Sequence, residues 1–408
     1  MVNICFYFQV HQPHRINRYR VFDIGNSEAY FDEKKNFEIM EKVSKKCYIP
    51  TTRMLIELME RYPDFKVAFS FSGVFIEQAK RYFPKTYYLF KRICSSENTE
   101  VLAETYYHSL SFLHSRNEFK EQIEKHRKMI EAEFGKTPSA FRNTELIYSN
   151  WIADFVARLG FKTILVEGAD SILRGRSPNF VYTNPSSNIK VLLKNFQLSD
   201  DIAFRFSEKG WKEWPLTAEK YSHWIDQLRG NSDLIGLFMD YETFGEHQWR
   251  ETGIFDFFKH FIDIGVRKGY SFLNPSEAAD TLQPRGIVDC PYYLSWADTE
   301  RDLSAWQGNA LQNDSLKKLY EMESLIKESG DKELIKKWRA LQTSDHFYYM
   351  CTKYFNDGDV HKYFNPYDTP YEAYIYFMNI ISDIKERISL KNKKKECEEN
   401  KVKEKITI

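Results

Sequence analysis

Short apolar segments that alternate with helical patterns limit the possible folds of this chain more than any other feature. Seven such segments lie at residues 2–10, 65–71, 100–103, 139–142, 163–166, 190–193 and 234–239, and a weaker eighth lies at 270–273. Each is short enough for a strand, and a helical pattern follows most of them. Strands that alternate with helices usually form a parallel sheet covered on both faces. The sequence therefore predicts an α/β fold, with one parallel barrel of β/α units.

Polar or ionisable residues directly follow nearly all of these segments. Segment 234–239 is followed by Asp240 and Glu242, and segment 139–142 is followed closely by Glu145. In parallel barrels the loops beyond the carboxyl ends of the strands carry the active site. We therefore expect the functional residues at that rim. The alternative is that each strand ends in a solvated polar turn.

The sequence changes in character beyond about residue 276. Long helical patterns cover residues 302–328, 331–341 and 370–388, and residues 391–408 form a charged tail of low complexity. The sequence predicts a catalytic barrel domain at 1–275, an α-helical domain at 276–390 that contributes to the active-site cleft, and a tail at 391–408. Two separate domains without a shared site are the alternative.

Composition and charge argue against several classes of protein. The 58 basic and 58 acidic side chains give a formal net charge of zero, so we expect no nucleic-acid or membrane partner. The six cysteines include no C-x-x-C pair, which argues against a zinc knuckle or a redox motif. No signal peptide and no apolar run of about 18 residues is present, which predicts a soluble cytoplasmic protein. The aromatic content of 16% fits either a phenylalanine-rich core or ring stacking on sugars.

Two carboxylates are placed to face each other across the mouth of such a barrel. Glu145 follows the fourth predicted strand and Asp240 follows the seventh. Hydrolysis of a glycosidic bond needs one ionised carboxylate and one protonated carboxylic acid. Polar neighbours favour the ionised form for Glu145 and so the nucleophile role, whereas apolar neighbours favour the protonated acid for Asp240. Neighbours along a strand point to opposite faces, so the reverse assignment remains open.

Five motifs resemble the ordered sequence regions of glycoside hydrolase family 57, in its α-amylase-like branch. They begin at His11 (HQP), Ala103 (AETYYH), Phe141 (FRNTELIY), Asp240 (DYETFGEH) and Leu303 (LSAWQGN). Their order and rough spacing match over residues 1 to about 310. Five motifs in register are a far more specific signal than one of them alone.

The resemblance implies a retaining α-glycosidase on an incomplete (β/α)7 barrel that acts on α-1,4-glucans without a metal or other cofactor. It places the nucleophile at Glu145 and the acid/base at Asp240. The motif residues that it assigns to the α-glucan substrate are His11, Glu104, His108, Glu242, His247 and Trp306, the last as a stacking ring.

Several of these residues also have a purely structural interpretation. His11 fits a strand-end histidine bonded to the backbone, and Glu104 fits a carboxylate paired with a nearby arginine. His247, with Glu246, fits a role in orienting its loop. Trp296 is assigned to the core rather than to a sugar subsite, and Glu167 is assigned a structural or supporting charge.

Three other functions compete with an α-amylase. A 4-α-glucanotransferase would use the same two carboxylates and pass the glycosyl group to a sugar instead of water. A metal-dependent polysaccharide deacetylase would need one Asp and two His ligands, for which His108 and His114 have the nearest spacing. A non-catalytic glucan-binding protein would not need the carboxylate pair. The sequence makes no prediction of the oligomeric state.

Overall fold

The computed structural model describes residues 2–353 and 365–406, with side chains up to Lys391. The chain divides into two compact units. The first consists of Met1–Gln12, Phe37–His108 and Asn117–Asp302, and the second of Pro13–Asn36, Ser109–Arg116 and the described residues from Leu303 onward. The predicted domain boundary at 275 and the roles given to the domains stay predictions.

The first unit contains a nearly closed barrel of seven parallel strands, which confirms the predicted fold class. The strands of the sheet are β1 (Val2–Val10), β2 (Val67–Phe71), β3 (Thr99–Val101), β4 (Ala140–Arg142), β5 (Thr163–Glu167), β6 (Tyr182–Thr183), β7 (Lys190–Lys194), β8 (Ile235–Asp240) and β9 (Tyr270–Phe272). The order around the barrel is β3-β2-β1-β8-β7-β5-β4. A parallel bridge between Ala103 and Phe141 joins its two ends. The weak eighth segment is β9, which pairs in parallel with β1, whereas β6 is antiparallel to β7 and was not predicted.

Side-chain alternation along β1 separates the outer core from the barrel interior. Phe6 and Phe8 pack into the large cluster beneath the helices, whereas Cys5 and Tyr7 belong to a smaller cluster. This period of two is the geometry of a strand that is buried on both faces. Ring contacts such as Phe6 with Phe258, at 5.3 Å between centroids, place much of the aromatic content in the core.

Gly236 is required where β7 and β8 approach each other. A Cβ atom at this position would lie 2.3 Å from the carbonyl oxygen of Leu193. Glycine inside a strand often marks such a close backbone approach. The close approach brings the end of β7, at Lys194, beside the strand that carries Asp240.

The helices follow the predicted pattern in outline. In chain order they are Glu33–Val43, Ile49–Arg61, Gly73–Tyr82, Pro84–Cys94, Arg116–Phe134, Asn150–Arg158, Asp170–Leu173, Phe196–Asp200, Ala218–Gln227, Ile254–Arg267, Pro275–Thr281, Ser304–Gln307, Ala310–Tyr320, Glu323–Glu328, Lys332–Ala340, Ser344–Tyr348 and Pro370–Ile406. The helix predicted near residues 35–60 is divided by a wider turn at Ser44–Tyr48, after which Pro50 occupies the start of the next helix. The helix at Arg116–Phe134 ends at Gly135, whose φ is 64°.

The second unit is helical. The pattern predicted as one helix at 302–328 forms three, because Asn309 caps a new helix by accepting a hydrogen bond from the backbone N–H of Gln312. The last helix runs through most of the predicted tail, and residues 407 and 408 of that tail lie outside the described part of the chain. None of the described helices has the length and apolar character needed to span a membrane.

Candidate active site

The carboxyl ends of β1, β3, β4 and β8 bring the candidate residues of the first unit together. Asp240 is the last residue of β8 and pairs in register with Gln9 of β1. Glu104 follows β3, and Glu145 follows β4. Neighbouring parallel strands end at the same rim, which is why residues far apart in sequence meet there.

Glu145 lies in a short turn, Thr144–Leu146, with a backbone conformation that a glutamate rarely adopts. Its φ is 56°, and the φ of Leu146 is 49°. Such left-handed conformations cost on the order of 1–3 kcal/mol each and persist where the surroundings hold them. Asn143 supports the turn by donating from Nδ2 to the carbonyl oxygen of Ile147 at 3.0 Å.

Two donors from distant parts of the chain reach the carboxylate of Glu145. The indole Nε1 of Trp296 donates to Oε2 at 2.8 Å, and Nε2 of His108 lies 3.2 Å from Oε1. The side chain of Glu145 keeps 21% of its surface exposed. The carboxylate is therefore held on both oxygens and still accessible.

The segment that carries Trp296 is paired with the Glu145 turn. Tyr148 and Leu294 exchange two backbone hydrogen bonds, of 2.8 and 2.9 Å. The backbone N–H of Trp296 donates to the carbonyl oxygen of Glu145 at 3.3 Å. The sequence assigned Trp296 to the core only. It does pack against the smaller core cluster, but it also binds Glu145.

His108 links two carboxylates through its two ring nitrogens. Its Nδ1 lies 2.9 Å from Oε2 of Glu104, and its Nε2 contacts Glu145. Burial opposes a charge on the imidazole, but the hydrogen bonds to both carboxylates outweigh it and raise the pKa of His108. The pKa of Glu104 is lowered, because the hydrogen bond and charge of His108 outweigh its burial. His108 is therefore an imidazolium that donates to both carboxylates.

Glu104 is fully buried and held by further groups. Nε2 of Gln9 donates to Oε1 at 3.1 Å. The backbone N–H of Glu104 donates to Nδ1 of His126, whose other ring nitrogen lies 2.7 Å from the carbonyl oxygen of Phe71. Because Glu104 is fixed, it also fixes the orientation of His108.

The surroundings of Asp240 raise its pKa, whereas those of Glu104 lower its pKa. Burial and then the negative charge of Glu145 raise the pKa of Asp240 to about 6. The cations Arg142, Lys194 and His108 oppose this rise. Asp240 can therefore carry a proton under mildly acidic conditions, in which an ordinary aspartate is ionised.

Glu242 is almost completely buried behind Asp240. Its carboxylate oxygen Oε1 accepts hydrogen bonds from the hydroxyl of Tyr48 and, at 3.5 Å, from Nε2 of Gln12. Burial and the charge of Asp240 raise its pKa to about 8. Its surroundings thus favour the protonated form of Glu242.

His11 is held at the same rim by a ring stack and a hydroxyl. Its ring lies 4.0 Å from that of His108, with an interplanar angle of 19°. Its Nδ1 lies 2.6 Å from the hydroxyl oxygen of Ser72. Ser72 and Gln9 could not be identified from the sequence, since each of their contacts joins two different strands or loops.

Two further residues, His247 and Trp306, were predicted to bind the substrate. Burial lowers the pKa of His247 to about 4, and its neighbour Glu246 forms an ion pair with Lys42. Trp306 belongs to the second unit, in the helix Ser304–Gln307, and only 1% of it is exposed. The roles of both in binding sugar stay predictions.

No group of three or more His, Cys, Asp and Glu side chains in the described residues is arranged to hold a metal ion. His114, which the deacetylase alternative would need, lies in the second unit and stacks on Tyr320 at 4.6 Å between ring centroids.

Comparisons with known proteins agree with the motifs. The model of glycosyl hydrolase family 57 matches residues 5–291. A protein of Methanocaldococcus jannaschii, described as "Putative alpha-amylase", is 46% identical over 411 residues, which cover 97% of this chain and 87% of that protein.

Two solved structures share the fold. The family 57-type branching enzyme of Pyrococcus horikoshii has a TM-score of 0.69 and 16% identity, over 89% of this chain and 87% of that one. The 4-alpha-glucanotransferase of Thermococcus litoralis has a TM-score of 0.58 and 18% identity, over 89% of this chain but only 54% of that one. From its matched family model and its 46% identical relative, the chain belongs to glycosyl hydrolase family 57.

Proposed function

We propose that this chain is a retaining α-glycosidase, an α-amylase that hydrolyses the α-1,4 bonds of starch- or glycogen-type glucans. The observation that carries the proposal is the unequal environment of two carboxylates, Glu145 and Asp240, whose charges interact. Glu145 accepts hydrogen bonds on both oxygens from Trp296 and His108, which favours its ionised form. Asp240 has a pKa raised to about 6 by burial and by the charge of Glu145. One acid and one base at one pH are what the reaction needs.

In the first step the Glu145 carboxylate attacks the anomeric carbon. A glycosyl–Glu145 ester forms as the bond to the leaving oxygen breaks, and the proton of Asp240 passes to that oxygen. In the second step Asp240, now ionised, takes a proton from water. The water oxygen attacks the anomeric carbon, the ester bond breaks, and Glu145 and protonated Asp240 are regenerated.

The positive charge of His108 fits this sequence. The imidazolium contacts Oε1 of Glu145 and so favours the ionised nucleophile before attack. Once Glu145 becomes an ester its negative charge is lost, and the pKa of Asp240 is expected to fall because the like charge no longer raises it. Asp240 then becomes the general base of the second step. The glucan as substrate is supported by family membership and by the description of the 46% identical relative.

The test is a product profile from a linear maltooligosaccharide of about seven glucose units, analysed with and without a chelator. The proposal predicts only shorter sugars, α-configured at the new reducing end, and no effect of the chelator. Products longer than the substrate would identify a glucanotransferase instead. Loss of activity with the chelator would contradict the metal-independent mechanism, and complete inactivity would contradict the α-amylase proposal.

A further inference from the structure

We propose that Trp296 is a positioning residue that fixes the carboxylate of Glu145 for attack, and that Arg142 and Lys194 in turn hold its indole. This inference rests on the proposed role of Glu145 as the nucleophile. Trp296 is then a third component of the site, beside the two carboxylates, and it lies in a segment outside the barrel strands.

Trp296 binds Glu145 at both its backbone and its side chain. Its backbone N–H donates to the carbonyl oxygen of Glu145 at 3.3 Å, and its indole N–H donates to Oε2 at 2.8 Å. The turn at Glu145 has a left-handed backbone, which is strained and persists only where surrounding contacts hold it. Trp296 supplies two such contacts, one to the backbone and one to the carboxylate.

The indole N–H can only donate, and this determines what it favours at Glu145. A donor at Oε2 stabilises the ionised carboxylate and opposes its protonation at that oxygen. His108 contacts the other oxygen, and 21% of the Glu145 side chain stays exposed. The arrangement holds the carboxylate ionised and oriented without blocking attack.

Two cations lie over the indole ring. The guanidinium carbon of Arg142 is 4.9 Å from the ring centroid, and Nζ of Lys194 is 5.4 Å from it. Both distances are in the range of cation–π attraction. A cation over the ring withdraws electron density from it, which makes the N–H a stronger donor. The two cations therefore both hold the ring and strengthen its bond to Glu145.

The side chain of Arg142 is completely buried. Its surface is 0% exposed, and Nε, Nη1 and Nη2 have no hydrogen-bond partner among the described residues. Its guanidinium lies over the indole ring, and its charge acts on Tyr7, Glu104 and Asp240. Burying a guanidinium without hydrogen bonds is costly, so its retention beside Trp296 indicates an electrostatic role in the site.

Lys194 is fixed more conventionally. Its Nζ donates to Oδ1 of Asp200 at 2.9 Å and lies 3.5 Å from Oε2 of Glu167. These carboxylates hold the ammonium in position over the ring of Trp296. Glu167, which the sequence analysis could place only as a structural or supporting charge, thereby gains a specific partner.

The direct test replaces Trp296 with phenylalanine, which keeps an aromatic ring for packing but removes the N–H. A charge-assisted hydrogen bond of this kind corresponds to a roughly 10- to 100-fold fall in kcat, and KM should change little. Without the donor at Oε2 the ionised carboxylate of Glu145 is less favoured, so the acidic limb of the kcat/KM profile should move to higher pH. W224F, the same change in the helix Ala218–Gln227, should leave both quantities unchanged.

A second variant tests the same inference if W296F folds poorly. β-(3-Benzothienyl)alanine at position 296 preserves the shape of the bicyclic ring but replaces N–H with sulfur. It should reproduce the loss of kcat and the shift of the acidic limb. If either variant folds and retains the wild-type kcat and acidic limb, Trp296 has only a structural role and the inference is wrong.

Trapping the glycosyl-enzyme with an activated fluorosugar separates this inference from the proposed function. Wild-type protein should form a covalent adduct on Glu145, and W296F should form the same adduct more slowly. If the wild type forms no adduct there, the proposed function fails. If the wild type forms it and W296F forms it equally fast, only the role of Trp296 is overturned.

Discussion

The turn that carries Glu145 and the strand end that carries Asp240 achieve their geometry in different ways. Asp240 ends a six-residue strand in regular conformation, in register with β1. Glu145 follows a three-residue strand in a turn with positive φ, and its donors come from His108 and Trp296. One carboxylate is placed by the barrel itself and the other by contacts from outside its own strand. The second arrangement should therefore be the easier one to disturb by mutation.

Removal of the charge of Glu145 should have the largest effect on activity. E145Q cannot form the glycosyl ester, so turnover of maltooligosaccharides should fall by roughly 10,000-fold or more, as measured by reducing-sugar release. The exposed glutamate variant E251Q is the control and should retain full activity. A mechanism that does not use Glu145 as its nucleophile would leave E145Q as active as the wild type.

Removal of the acid at Asp240 should lower activity less and raise stability. D240N should lose roughly 100- to 1,000-fold in kcat on maltooligosaccharides, and formation of the glycosyl-enzyme from a substrate with a good leaving group should be affected much less. D256N, at an exposed aspartate, is the control. An equal loss of the glycosylation rate on both substrates would contradict the acid role.

The gain in stability from D240N should be larger at neutral pH than at acidic pH. The folded pKa of Asp240 is raised from 3.8 to about 6, so the stabilising effect of its proton is present below pH 3.8 and is lost as the pH rises through 6. D240N removes the buried charge and should be more stable than the wild type by about 1–3 kcal/mol at neutral pH. The gain should vanish near pH 3.5, as measured by chemical denaturation.

His108 should affect stability and activity together. H108Q leaves Glu104 buried without its cation, which should cost about 3 kcal/mol of stability and lower kcat by roughly 10- to 100-fold. The pKa of His108 is raised and that of Glu104 is lowered, so their mutual stabilisation is full between about pH 4.5 and 6.5. It is lost as the pH rises through the raised pKa of His108 or falls through the lowered pKa of Glu104. H223Q, at an exposed histidine, is the control, and a stability difference independent of pH would contradict the ion pair.

Lys194 should have the smallest effect. Its charge lowers the pKa of Asp240, so K194M should move the basic limb of kcat/KM to higher pH by about half a unit, with a few-fold change in kcat. K190M, on the same strand, should leave the limb in place. A downward shift in K194M would contradict the charge interaction.

The difference between the two carboxylates also explains what the sequence can predict. Asp240 ends a strand whose other residues form an uninterrupted apolar run, so the pattern alone identifies its position. Glu145 is found by its place after β4 and by its motif, but its positive φ leaves no sign in the sequence because no glycine stands there. Its sequence neighbours Asn143 and Thr144 bond elsewhere, to Ile147 and Thr105.

The seven barrel strands are predicted because burial on both faces makes each one a short apolar run. The contact between Trp296 and Glu145 spans 151 positions and has no periodic signal. The two-residue strand β6 is too short for a pattern, and the turn at Ser44–Tyr48 interrupts a helix whose periodicity continues through it. Such features depend on tertiary contacts rather than on local preference.

The most direct measurement of the proposed mechanism is mass spectrometry of peptides after reaction of the wild-type protein with an activated fluorosugar. The mechanism predicts one glycosyl adduct, on the peptide that contains Glu145. The adduct should disappear, and activity should return, on prolonged incubation or on addition of a maltooligosaccharide acceptor. An adduct on Asp240 would reverse the assigned roles. Rapid turnover of the natural substrate with no adduct on either carboxylate would contradict a retaining mechanism at this site.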